Sequence, residues 1–141
     1  MAADDDRGMD ARTHAIADTP LHLGVGAIAV PLEGFAWSPE FMGAYGERFA
    51  HEGGEGRLVT WFEMTEDWDS WEAHPAGEEV VLCVSGRLRL HQERDGDTVV
   101  VEVGPGEYVV NPPGVWHTAD VVEPGNGLFI TPGQGTTHRP R

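Results

Sequence analysis

From Arg57 onward the chain is dominated by short apolar runs broken at regular intervals. Arg57 to Met64 strings together Leu, Val, Thr, Trp and Phe, and Glu79–Val84, Arg87–Gln92, Thr98–Val103, Tyr108–Val110 and Leu128–Thr131 have the same β-branched and aromatic character. Such side chains pack well on a pleated surface, so each run predicts a strand. Turn chemistry separates them. Asp95-Gly96 reads as a tight hairpin, while Gly104-Pro105-Gly106 and Pro112-Pro113-Gly114 mark sharper corners. Strands spaced about 8–12 residues apart with Gly/Pro turns predict an all-β antiparallel sandwich or barrel. No repeated strand–helix alternation supports a parallel α/β sheet.

Upstream the pattern changes. Leu21 to Leu32 is a Gly-punctuated apolar run containing Pro31, compatible with an edge strand or an extended arm. Ser38-Pro39 reads as a helix N-cap followed by proline at the first helical position, with Glu40 at the positive helix end. A short helix from about Pro39 to Ala50 follows, with Phe41, Met42, Tyr45 and Phe49 at helical spacing. That stripe is expected to pack as core rather than to line a ligand pocket. The loop His51–Gly56 ends the helix. The organisation expected is a flexible tail over 1–19, with His14 solvated, an arm and short helix over 20–56, a β-body over 57–135 and a tail over 136–141.

Composition narrows the partners. The 141 residues suit one domain with one core. Twenty-four acidic against nine basic residues leave a net charge of −15, which repels phosphate backbones and anionic head groups and favours solubility. Neither nucleic acid nor a membrane surface is an expected partner. Cys83 is the single cysteine, which excludes an intramolecular disulfide and a thiolate cluster within one chain and fits a reducing compartment. The acidic stretch Met1–Asp10 has no apolar core of signal-peptide length, and no run approaches a membrane span, so a soluble cytoplasmic protein is expected.

The chemistry concentrates in Trp71–Glu79 and Asn111–His117, which offer two imidazoles and up to three carboxylates beside strand-like runs. Neutral imidazole and carboxylate suit first-row divalent metals such as iron, manganese, nickel or zinc. Strand parity puts Glu79, Val81 and Cys83 on one face, Glu72 and His74 together on another, and His117 in line with Ala119 and Val121. An ionised Glu79 on an apolar face is costly unless a metal or cation pairs with it. The competing reading is a pair of hydrogen-bonded core histidines without a metal.

In this spacing the chain resembles the cupins, small jelly-roll (double-stranded β-helix) barrels that hold a metal. Glu72-x-His74-x4-Glu79-x6-Gly86 is similar to the later part of the first cupin motif, G-x5-H-x-H-x3-4-E-x6-G. Gly106-x5-Pro112-x-Gly114-x2-His117 is similar to the second, G-x5-P-x-G-x2-H-x3-N. Three positions depart from the pattern: Glu66 replaces the opening glycine, Glu72 the first histidine and Val121 the closing asparagine. The resemblance implies that His74, Glu79 and His117 hold a metal. Three roles stay open for Glu72: a fourth ligand, a catalytic general base beside the metal, or the partner of a nearby arginine.

The resemblance also implies a function: a metal-binding cupin acting on a small organic metabolite, as an oxygenase or a metal-assisted isomerase, cyclase or lyase. A non-catalytic binding module and a metal-free acid/base isomerase are the alternatives. Arg57, Trp61, Trp71, Cys83, Tyr108, Asn111 and Trp116 are pocket candidates, with Cys83 expected to be buried and inert, and Trp68 joins the tryptophans near the site elements. His22, His51, His91 and His138 lie outside the motifs and receive no role. Apolar faces on Val80–Val84, or a strand around Leu21–Val30, favour a homodimer.

Overall fold

The computed structural model describes residues 11–141; the first ten residues of the expected N-terminal tail lie outside them. In chain order the elements are β1 (Leu21–Leu23), β2 (Ala29–Pro31), α1 (Pro39–Arg48), β3 (Arg57–Met64), β4 (Ser70–Ala73), β5 (Glu79–Cys83), β6 (Arg87–Arg94), β7 (Asp97–Val103), β8 (Tyr108–Asn111), β9 (His117–Glu123), β10 (Gly125–Thr131) and β11 (Thr137–Pro140). They form two antiparallel sheets, β2-β1-β3-β10-β5-β8 and β11-β4-β9-β6-β7. This is the jelly-roll arrangement that the strand pattern and the motifs imply.

Period-two alternation decides what faces inward. On β5 Glu79, Val81 and Cys83 are buried while Val80 and Leu82 are half-buried, and on β6 Leu88, Leu90 and Gln92 are the buried set. Val81, Cys83, Leu88, Leu90, Ala119 and Phe129 form the centre of the hydrocarbon core. Three strands cross from this core into a polar region: Cys83 and Val81 give way to Glu79, Leu88 and Leu90 to Gln92, and Ala119 to His117. The barrel therefore has a hydrocarbon end and a polar end. Register brings the polar ends together, with Glu72 and Gln92 on either side of His117 and Asn111 opposite Glu79.

Two turns show why the sequence folds this way. Asp95 and Gly96 take φ of 52° and 85° and make the tight hairpin between β6 and β7. Gly86, which closes the first motif, has φ of 79°, and a Cβ there would lie 2.5 Å from the Glu123 carbonyl oxygen. Only glycine fits both demands.

The ends of the chain differ from expectation. The arm over Leu21–Leu32 folds into the β1–β2 hairpin, and β1 pairs with β3 of its own chain. Residues 137–140, expected as part of a tail, are strand β11, paired with β4. Thr-His-Arg-Pro has no apolar alternation to announce it; the strand is held by backbone bonds and by ion pairs such as Arg139 with Glu93. Residues Ala15–Thr19 make a turn, and His14 and Arg12 lie beside Glu33. Helix α1 starts as expected, its Phe41 N–H donating to Ser38 Oγ at 3.1 Å, but ends at Arg48; Ala50–Glu52 is a separate 3₁₀ turn. No helix among the described residues is long and apolar enough to cross a membrane.

Leu90 has 0% of its surface exposed in the middle of the core. Leu90→Ala is expected to cost about 3 kcal/mol through lost burial and the cavity left behind. A urea titration tests this: the midpoint should fall with an unchanged slope.

Candidate metal centre

Glu72 on β4, His74 just after it, Glu79 at the start of β5 and His117 at the start of β9 meet in the polar end of the barrel. Glu72, His74 and His117 each present one donor atom, all within 4.8 Å of one another. Glu79 lies directly beside the two imidazoles: Oε2 is 3.2 Å from His74 Nε2 and Oε1 is 3.1 Å from His117 Nε2. Glu72 Oε2 stands 3.7 Å from His74 Nε2 and 3.9 Å from His117 Nε2. The sites are joined through the backbone as well, since the Gly114 N–H of the turn before His117 donates to the His74 carbonyl at 3.0 Å.

Neighbouring groups fix the protonation pattern of both rings. His117 Nδ1 lies 3.2 Å from the Val115 carbonyl, which only accepts, so Nδ1 carries the hydrogen and a neutral ring leaves a lone pair on Nε2. His74 Nδ1 lies 2.8 Å from Thr136 Oγ1, and that hydroxyl donates its own hydrogen to the Gly133 carbonyl at 2.9 Å. Thr136 therefore accepts from His74 Nδ1, and in the neutral ring His74 Nε2 is a lone pair too. Both Nε2 atoms are buried without a hydrogen-bond partner, their short approaches to Glu79 being misaligned. Two buried imidazole lone pairs and a buried carboxylate repel one another unless a cation sits among them. This donor set fits a divalent metal, and the groups behind Nδ1 are what a metal-ligating histidine uses for orientation.

Glu79 is held rigidly. Asn111 Nδ2 donates to Oε1 at 3.1 Å and Thr131 Oγ1 to Oε2 at 2.6 Å, while Gln92 Nε2 donates to Asn111 Oδ1 at 2.7 Å. Burial raises the Glu79 pKa, but the two imidazoles of His117 and His74 facing the carboxylate outweigh it and hold the carboxyl well below the usual range. Burial lowers the His74 pKa, yet the neighbouring Glu79 carboxylate, then the charge of Glu72, leave it raised.

A cavity of about 900 Å³ opens onto this group, lined by Glu72, His74 and Glu79 and by the aromatic wall Trp37, Phe62, Phe129 and Trp68. Trp68 stands edge-on to His117 with ring centroids 6.3 Å apart. Of the residues expected in the pocket, Asn111 reaches the site through Glu79, while Arg57, Trp61, Trp71, Cys83, Tyr108 and Trp116 do not line the cavity. Trp71 and Trp116 instead pack on Arg139, and Trp61 Nε1 donates to Asn126. Cys83 is buried in the core, and burial pushes its thiol up. Tyr108 is 66% exposed. Among the described residues no arginine pairs with Glu72; its charged neighbours are His74, His117 and His138.

Three contributors went unassigned in the sequence. His138 lies 3.4 Å from Glu72 on β11, a strand with no hydrophobic signature. His22 lines the same cavity from β1, in the arm. The stripe Met42, Tyr45 and Phe49, expected as core, lines the cavity while α1 buries no residue. A helical stripe shows which face turns inward, and gives no sign of whether protein or ligand covers it.

The protonation pattern has a measurable sign. In metal-free protein, protonated His74 contributes stability fully present below the unfolded histidine value of about 6.5 and lost as pH rises through its higher folded value. Glu79 acts in the other direction, its contribution present above the ordinary carboxylate value and lost as pH falls through its depressed one. The thermal midpoint of chelator-treated protein should therefore fall as pH rises above about 6.5. Added zinc should reverse the slope, because metal competes with protons for the same lone pairs. Differential scanning calorimetry checks both, and an equal slope in chelator-treated His74→Gln would assign it to other groups.

Residues 62–131 match the family model for the cupin domain. No curated protein matches the chain. Among solved structures, Bacillus subtilis oxalate decarboxylase aligns with 17% identity and a TM-score of 0.50, over 67% of this chain and 26% of that one. A double-stranded β-helix protein from Klebsiella pneumoniae aligns with 21% identity and a TM-score of 0.49, over 60% of this chain and 76% of that one. Hydroquinone 1,2-dioxygenase from Sphingomonas sp. TTNP3, with 4-hydroxybenzoate bound, aligns with 15% identity and a TM-score of 0.45, over 53% of this chain and 58% of that one. The chain thus spans little more than half the length of that dioxygenase. These likenesses are of fold. Sheet order, motif spacing and the family match coincide, and through the barrel of residues 62–131 the chain belongs to the cupin family.

Proposed function

We propose that this cupin is a metal-dependent enzyme acting on a small organic molecule, uncharged or cationic, with an apolar body. The pair of buried Nε2 atoms facing Glu79 without hydrogen bonds carries the reading. His74, His117 and Glu79 would hold a divalent ion, with Glu72, its side chain 29% exposed, as the outermost member of the set. The chemistry such an ion supplies when bound is Lewis acidity, polarising a substrate oxygen and stabilising charge that develops there. That serves metal-assisted isomerisation, cyclisation, lysis or oxygenation.

The chain's own residues account for the rest. Asn111 and Thr131 keep Glu79 fixed, while Thr136 and the Val115 carbonyl keep both rings turned the right way. Glu72 faces the cavity beside His138 and is placed to hold or move a proton next to the ion. Phe62, Trp68 and Phe129 give an apolar wall that excludes water. Substrate polarity follows from the lining. Glu52, Glu63, Glu66, Asp67 and Asp69 join the metal group around the cavity, and among the described residues no lysine or arginine does. A carboxylate or phosphate substrate would meet repulsion without a compensating cation.

Protein purified without chelator should contain close to one transition-metal ion per chain, and His74→Ala and His117→Ala should each abolish it while remaining folded. Elemental analysis decides this; a folded wild type empty after incubation with iron, manganese, nickel and zinc would refute the metal-dependent reading. For polarity, calorimetry on chelator-treated protein should detect binding of benzylamine or benzyl alcohol and none of benzoate. Benzoate binding as tightly as benzylamine would remove the argument from the acidic lining.

A further inference from the structure

The roof of the cavity carries a second cluster of titratable groups. His22 comes from β1, Tyr45 from α1 and Glu52 from the 3₁₀ turn after it, and all three line the cavity. Glu52 Oε1 lies 2.7 Å from His22 Nε2, and both side chains are 2% exposed. The other carboxylate oxygen accepts the Val25 N–H at 3.2 Å. On the far side of the ring, His22 Nδ1 lies 2.6 Å from the Tyr45 hydroxyl. Phe49 stacks on the imidazole with centroids 3.7 Å apart. Gly24 and Gly56 make room for the group: a Cβ on either would come within 2.4 Å and 2.5 Å of the Glu52 carboxylate oxygens.

The order of these contacts assigns the hydrogens. A carboxylate accepts, so His22 carries its hydrogen on Nε2, and in the neutral ring Nδ1 is left as a lone pair. Tyr45 must then donate its hydroxyl hydrogen to Nδ1, which leaves the phenol oxygen free to accept from the cavity. Hydroxyl, imidazole and carboxylate in that sequence form the arrangement that activates a hydroxyl. A tether for α1 would need only the first contact; a buried carboxylate behind the ring is costly and serves the ring's charge. Burial, then the Glu52 charge, push the Tyr45 phenol up to about 12, so free phenolate is scarce at neutral pH and activation has to run through His22.

We propose that Tyr45 is a general base of this cavity, taking a proton from a carbon acid or hydroxyl of the bound molecule while passing its own proton to His22. One O–H bond forms on Tyr45 as another breaks, and an N–H bond forms on His22 Nδ1. The substrate keeps the electron pair of the bond it loses, and the imidazolium so formed is balanced by Glu52. Reversal returns the proton to the product. The assignment rests on the cavity being a substrate site, as in the proposed function, but needs no metal in its test.

Phenylmethanesulfonyl fluoride, an uncharged aromatic reagent, reads the relay directly. Attack forms the Oη–S bond, expels fluoride and sends the phenol proton to His22. The chain has two tyrosines, and exposed Tyr108 serves as the internal reference. Peptide mass spectrometry should show Tyr45 modified about tenfold faster than Tyr108 at neutral pH, in chelator-treated and metal-loaded protein alike. In His22→Gln and in Glu52→Gln, Tyr45 should become slower than Tyr108. Tyr108 reacting first in the wild type would overturn the proposal, as would an undiminished Tyr45 lead in either folded variant; the wild-type ratio decides even if both variants unfold. Failure of the metal reading would appear in metal content and leave this ratio unchanged.

Discussion

Two imidazole lone pairs set against a buried carboxylate need a positive charge between them, and much of the surrounding structure keeps that need in place. The Val115 carbonyl and the Thr136 hydroxyl prevent either ring from turning its hydrogen toward Glu79. Asn111 and Thr131 hold Glu79 still, and Gln92 holds Asn111. None of these contacts is strong alone, at about 1 kcal/mol net for a typical hydrogen bond, but leaving one buried partner unsatisfied costs more. A cooperative group of this kind rigidifies a site when complete.

The barrel separates tasks along its length. Branched and sulfur-bearing side chains at one end provide the burial that stabilises the sheets. The other end gives up that burial to hold polar groups, and the same strands serve both. Over the polar end lie the β1–β2 hairpin and helix α1, whose residues line the cavity although none in the helix is fully buried. A roof with little core of its own is the part of such a fold that opens most readily.

Much of this was legible in the chain because β structure writes its parity into sequence. The alternation on Glu79–Val84 identified Glu79 as the inward carboxylate, and the motif spacing brought Glu72, His74 and His117 to it. The pocket walls were not legible in that way. Trp71 and Trp116 sit next in sequence to Glu72 and His117, and for that reason face the opposite side of the sheet, where they pack on Arg139. The walls come instead from residues remote in sequence, such as Trp37, Phe62 and Phe129. His22 and His138 lacked a signal because their strands are three and four residues long and join the sheets by backbone bonds. The neighbour of Glu72 on β11 was hidden for a related cause: nothing in the spacing told which basic side chain that strand would bring, and among the described residues it brings His138.

Strand β11 is attached in an unusual way for a barrel strand. Its ladder to β4 is reinforced by Arg139 with Glu93 and followed by Arg141 with Asp120, and its apolar contact is the stacking of Arg139 on Trp71 and Trp116. Dissolved ions weaken exposed pairs of this sort and leave apolar burial intact. Ionic strength therefore acts unevenly on the metal group: salt loosens the support of His138 and Glu72 more than that of Glu79, which is anchored in the interior.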